Sequence, residues 1–358
     1  MDESMDPRVV EHARILARWS TDIKRGEMVI VRASPESHEL ALALTREATK
    51  LGARVMVVME SDELNKAFFD AADDQTIALL PKHMMAAMKE ADVYIGLGAP
   101  LNTMTLASVD PKKQIALAKA NQPLSELVLS KRWCGTVHPC RSLAQQANMS
   151  LEEYQDFVYN AVIIDWAAES KNWFLLKDHL ERHKDIRFVG PETDIHAETG
   201  GRIWIASDGR KNMPSGEVFT APIEDSVEGK IYFDIPFLYQ GKVIEGVRLS
   251  FEKGFVVDYS AEKEQPTLKA VLEVDEGARR LGEMAIGTNR GIKRYTLNML
   301  FDEKIGDTIH CALGRAYKEC NGLNESAVHV DMVKSMARGK ITAGNEVIYH
   351  AGKFFYDK

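Results

Sequence analysis

Cysteine is scarce in this chain: Cys134, Cys140, Cys311 and Cys320 are the four among 358 residues. That is too few to staple a fold of this length, and it fits a reducing, cytoplasmic compartment. Cys134 and Cys140 enclose His138 in CGTVHPC, a spacing that matches no common zinc knuckle. Positive charge is not in excess either. Lys and Arg number 45 against 53 Asp and Glu, a formal net charge of -8. Nucleic acid is therefore not expected as the partner, because phosphate backbones select a concentrated basic surface. Apolar runs are short and interrupted, so no membrane span is expected. The opening MDESMDPRVV is acidic and lacks the apolar centre of a signal peptide. Phosphate-cradling loops are missing too. GLGAP (96–100) keeps only a G-x-G fragment of the dinucleotide fingerprint, and ASPESHE after the first strand has no glycine. Neither G-x-x-x-x-G-K-[ST] nor G-x-S-x-G occurs, which argues against a P-loop NTPase and a serine hydrolase.

What is present is ample apolar material, 45% of residues, enough for two domains. MVIVRA (28–33), ARVMVVME (53–60) and ADVYIGLGA (91–99) read as buried strands. HELALALTREATKLG (38–52) reads as a helix closed by Gly52, and Ser150 with Glu153 forms a capping-box pattern that starts another. AVIIDWAA (161–168) fits strand or helix. Strands alternating with helices imply a mostly parallel α/β sheet in residues 1–190. Beyond GPETD (190–194) the texture changes to short strands joined by glycine-bearing turns, FEKGFVVDY among them as a hairpin. Residues 191–358 thus read as a strand-rich mixed α+β domain. Within it, TLKAVLEVDEGARRLGEMA (267–285) reads as a helix pair or one broken helix, and TIHCALG, SAVHVDMV and EVIYHAG read as strands.

The second half also carries the chemistry. On a strand, alternation puts His329 and Asp331 on one face and Val328, Val330 and Met332 on the other. A neutral nitrogen beside a charged oxygen suits Zn²⁺, Mn²⁺ or Co²⁺, although the pair equally fits a hydrogen-bonded edge strand. Glu217, Glu283, Glu303, Asp302 and His310 all lie beside apolar or glycine-bounded stretches. Carboxylates are costly to desolvate alone, so several acids and two histidines in such settings call for cations among them. Two divalent ions fit the inventory. Whether these side chains converge depends on the fold, not on their spacing.

Four separated blocks, SDGRKNMPSGEVFTAPIEDSVEG, ARRLGEMAIGTN, LFDEKIGDTIHCALG and SAVHVDMV, together resemble the M29 metallopeptidases of the aminopeptidase T type. RW (132–133) and MSLEEYQDFVY (149–159) extend the likeness over nearly the whole chain. The resemblance implies a dinuclear centre of Zn, Co, Mn or Mg that removes N-terminal residues from short peptides with a free N-terminus, in a homodimer. It implies Glu217, Glu283, Glu303, His310, His329 and Asp331 as metal ligands and Tyr317 as the active-site tyrosine. Glu283 is expected as the shared ligand, as the carrier of the proton from water to the leaving amine, or as both. Asp302 is a second candidate for the proton, and His196 a candidate for the mouth of the site. Asn212 and Ser215 are expected to hold Glu217 in place or simply to form the turn before it, Gly216 to permit a tight approach, and Asn289 and Arg290 to contact substrate or a partner subunit. The sequence departs from the resemblance at Val330, where an aromatic residue is usual, and in the Glu303–His310 and His310–His329 intervals. A dinuclear amidase or esterase, or a binding protein with a vestigial metal site, are the competing readings.

Overall fold

In the computed structural model, which describes residues 5–357, MVIVRA forms a strand, Met28–Ala33, paired in parallel with Arg54–Met59 on one side and Val93–Gly98 on the other. Arg132–Val137 and the two-residue strand Asn212–Met213 continue this sheet, also in parallel. Val29, Ile30, Val31 and Ala33 are buried, as a strand covered on both faces requires. The helix His38–Lys50 turns Leu40, Ala41, Leu44 and Ala48 inward. It stops where Gly52 takes the left-handed φ of +87°. The capping box at Ser150 forms as the sequence indicates, opening Leu151–Val162. AVIIDWAA proves to be two helix ends and the break between them: one helix stops at Val162, and Asp165 caps the next, Trp166–Leu180.

The chain divides into two compact units. One comprises Met1–Ile163 and Gly209–Pro214, the other Ile164–Asp208 and Ser215–Lys358. Residues 190–194 lie inside the second unit, at the turn joining the paired strands Asp185–Gly190 and Thr193–Glu198. Those strands belong to an eight-stranded sheet whose pairings are antiparallel. FEKGFVVDY is a hairpin of that sheet. Its turn residues Lys253 and Gly254 have φ of +48° and +78°, the mirror-image turn that matches strand twist.

The stretch 267–285 corrects the sequence reading. Gln265–Leu272 is a helix, but Leu281–Gly287 is a strand buried along its whole length. A strand covered on both faces shows no alternation, so LGEMAIG has no period to distinguish it from a buried helix segment. It is the central strand of a five-stranded antiparallel sheet. Glu217–Thr220 and then Ile205–Ser207 flank it on one side, Thr308–Gly314 and then His329–Ser335 on the other.

The first unit holds two buried histidines that the sequence reading did not single out for the fold. His12 Nε2 is hydrogen-bonded to Thr136 Oγ1 at 3.0 Å, and its ring meets Tyr159 edge-on. Burial pushes His12 down to about 3 and His138 down to about 4. Unfolded histidine takes a proton near pH 6.5. Below that pH the unfolded chain binds protons that the folded chain refuses, so stability is lost as pH falls towards the folded values. Between about pH 6.5 and pH 4 each histidine contributes a slope of up to ~1.4 kcal/mol per pH unit. His12→Gln is expected to flatten the pH dependence of the urea unfolding free energy in this window by about that amount; an unchanged slope would contradict the assignment.

Candidate metal centre

The cross-strand register of the five-stranded sheet decides where the acids go. Residues directly opposite on antiparallel strands share a face. Glu283 lies opposite Ala312, which lies opposite Asp331. Ala285 lies opposite His310, Gly287 opposite Glu217, and Gly314 opposite His329. Positions 283, 285 and 287 alternate onto one face. Glu217, Glu283, His310, His329 and Asp331 therefore project from the same side, and the neighbours between them are Ala or Gly. Small residues there leave a basin that larger side chains would fill.

The basin is deep. Glu217, Glu283 and His310 are buried, and His329 and Asp331 are nearly so. His310 Nε2 lies 3.3 Å from Glu217 Oε2 and 3.4 Å from Glu283 Oε1. His329 Nε2 lies 3.2 Å from Glu283 Oε2 and 3.5 Å from Asp331 Oδ1. The two oxygens of Glu283 thus address two imidazoles on different strands. The Nδ1 of His329 donates to the carbonyl of Arg315 at 2.7 Å, which leaves Nε2 as the nitrogen that can ligate.

A loop completes the site. Glu303 follows the short helix Met299–Asp302, and Lys304 after it is fully buried. The Lys304 ammonium pairs with Glu303 and lies 3.5 Å from Glu217 Oε1. Gly287 makes this approach possible, because a Cβ there would stand 2.3 Å from the carbonyl oxygen of Ile305. On the other flank Gly216 has φ of +114°, and a Cβ would meet Asn289 Cβ at 2.8 Å. Asn289 Nδ2 donates to the carbonyl of Ser215 at 2.8 Å, and the Ser215 and Ser207 hydroxyls are 2.7 Å apart. These contacts hold the turn that presents Glu217.

Four carboxylates thus face one ammonium. Burial pushes the Glu303 carboxyl up to about 8 and raises that of Glu217. Burial alone would lower both imidazoles; hydrogen bonds and charge from the facing carboxylates reverse this and push His310 up to about 9 and His329 up to about 11. The basin selects positive charge. Three overlapping sets of donor atoms lie within 4.8 Å of one another: Glu217, Glu283 and His310; Glu283, His329 and Asp331; Glu303, His310 and Asp331. Asp331 Oδ1 and His310 Nδ1 are buried without a hydrogen-bond partner. Oxygen and imidazole donors in this mixture fit Zn²⁺, Mn²⁺ or Co²⁺, and the shared Glu283 fits two ions rather than one.

The family description of the thermophilic metalloproteases (M29) matches residues 5–354. The chain belongs to the M29 family. Among its relatives is Aminopeptidase 2 of Geobacillus stearothermophilus, 28% identical over 379 residues and covering 90% of each chain. Aminopeptidase AmpS of Bacillus subtilis (strain 168) is 27% identical and covers 99% of this chain and 100% of its own. The solved structure of wild-type AmpT from Thermus thermophilus superposes with a TM-score of 0.86 at 26% identity, over 98% of this chain and 99% of that one.

All six acids and histidines expected as ligands from the M29 resemblance meet in the basin. Tyr317 stands at its rim, 38% exposed, with its ring 5.0 Å from that of His329 and 5.7 Å from that of Phe219. Asp302 does not join them. It accepts from Thr296 N and Oγ1 at 2.7 and 3.0 Å, and burial pushes its carboxyl up to about 7; it braces the loop. His196 lies on the eight-stranded sheet, 3.4 Å from Asp185. Asn212 belongs to the parallel sheet of the first unit. Arg290 pairs with Asp357 at 2.5 Å. Lys304 is the residue that sequence reasoning missed. In LFDEKIGD no local pattern marks it as buried; the loop that carries it passes close over Gly287. Gly287→Ala is expected to destabilise the protein by ~1–3 kcal/mol through overpacking and to weaken metal binding, read by thermal unfolding and metal titration. A neutral result would show that the loop does not depend on this close approach.

Proposed function

We propose that this M29 protein removes N-terminal residues from short peptides, with Glu283 shared between two ions and Tyr317 serving the carbonyl. The protein is a dinuclear metal-dependent aminopeptidase, a hydrolase. The observation that carries the residue assignment is the placement of Glu283, one oxygen towards His310 and the other towards His329. Glu217 and His310 would complete one donor set, and His329 and Asp331 the other. Divalent ions bound there supply Lewis acidity, acidifying a water and polarising a carbonyl.

The protein's own groups do the rest. Buried carboxylates attract the ammonium of a free N-terminus and so favour chain ends over internal peptide bonds. With both oxygens of Glu283 facing imidazoles, Glu303 is the acid better placed to hold a proton between water and the leaving amine. Lys304 sits against Glu303 and Glu217 and offsets part of the rise that burial imposes on their carboxyls. Partial burial and the neighbouring carboxylates raise the Tyr317 hydroxyl well above its usual range. It therefore stays protonated and donates a hydrogen bond to the oxyanion that develops on the carbonyl. A cytoplasmic homodimer completes the reading. Its supports are the M29 resemblance and four buried cysteines that form no disulfide among the described residues, the usage of a reducing compartment. Among the described residues no helix is long and apolar enough to cross a membrane.

Leucine amide is expected to release free leucine, and N-acetyl-leucine amide to be inert, because acetylation removes the ammonium. Equal hydrolysis of both would favour a general amidase. Tyr317→Phe is expected to lower kcat about 10²-fold while both ions stay bound. A rise in KM at constant kcat would contradict its assigned contact.

A further inference from the structure

A second group of ligand-capable side chains lies in the same unit and shares no residue with the basin: His179, His183 and Glu346. His179 sits in the last turn of Trp166–Leu180. His183 follows four residues later, and its N–H still donates to the Leu180 carbonyl at 3.0 Å. The helical path thus continues far enough to put both rings on one face, with centroids 5.1 Å apart. Glu346 arrives from the hairpin of Lys340–Ala343 and Glu346–His350, whose turn is only Gly344 and Asn345. Gly344 has φ of +54°, and a Cβ there would lie 2.9 Å from His183 Nδ1. The turn is therefore fitted closely over the imidazole, and it delivers the carboxylate to the histidine pair.

We infer that His179, His183 and Glu346 form a separate site for a single zinc-class divalent ion, which ties the C-terminal hairpin to the end of this helix. The spacing supports this. Glu346 Oε2 is 3.1 Å from His179 Nε2 and 3.9 Å from His183 Nε2. Tetrahedral bonds of about 2.0–2.2 Å place ligand atoms about 3.3 Å apart, between those two separations. The orientation supports it as well. His179 Nε2 is buried and makes no hydrogen bond, although a carboxylate oxygen is 3.1 Å away. The oxygen stands too far off the line along which a ring N–H would donate. Two ligands that both point at a third atom have this relation. Phe355 packs on the His179 ring at 4.5 Å and fixes its plane. Glu346 is largely exposed, so the remaining coordination position faces water. Two imidazoles and one carboxylate select zinc, cobalt, nickel or copper over calcium or magnesium.

The test compares the holoenzyme with His183→Ala and Glu346→Ala after equilibrium dialysis against Zn²⁺, counting metal by atomic emission. Each variant is expected to hold one zinc fewer per chain than the parent protein and to cleave peptides at the parent rate. Added zinc is expected to raise the Tm of the parent above that of either variant, because an ion bound only by the folded state stabilises it. Identical zinc counts and identical zinc-dependent Tm shifts in all three proteins would overturn the site and leave His179–Glu346 as an ion pair. Glu346 is exposed, so its replacement keeps the fold even where that of His183 does not. The one-ion difference is read independently of how many ions the basin holds.

Discussion

Four carboxylates, Glu217, Glu283, Glu303 and Asp331, are gathered out of water on one side of a five-stranded sheet, with Lys304 as the ammonium among them. Removing ions from water costs several kcal/mol each even after relaxation, and like charges brought together add to that. Ion-pair contacts from two imidazoles and a buried lysine offset part of the cost. The convergence of carboxylate oxygens and imidazole nitrogens is what makes the basin a site for divalent cations. Much of the second unit can be understood as the scaffold that enforces this arrangement against its own electrostatics.

The enforcement is mostly backbone. Register fixes which face each acid occupies, and a slip of one residue on any strand would turn its ligand away. The small partners Ala285, Gly287, Ala312 and Gly314 keep the floor open, and Gly287 and Gly216 let neighbouring segments close in. Sheets of this kind host unrelated chemistries. The fold alone therefore does not decide the reaction; the identity of the side chains on this face does.

What could be read from the sequence follows the same division. Half-buried strands announce themselves by alternation, and HVD showed its two polar residues on one face before any partner was known. The parallel strands of the first unit, flanked by helices with clear caps at Gly52 and Ser150, were equally legible as strands, although Arg54–Met59 lies at the sheet edge and is largely exposed, not buried as its apolar run suggests. The strand carrying Glu283 was not, because Leu281–Gly287 is buried on both faces and has no period. Lys304 was hidden for a related reason: its burial comes from a loop crossing a glycine on another strand, which no local pattern encodes. Convergence of the ligands entered only through the resemblance to M29 peptidases, since strand order is a non-local property.

The most direct test of the central claim is anomalous diffraction from crystals of the holoenzyme, collected at the absorption edges of zinc, cobalt and manganese. The account predicts two anomalous peaks within the basin, both bonded to Glu283, one also reached by Glu217 and His310 and the other by His329 and Asp331. A single peak, or two ions with Glu283 bound to neither, would contradict it.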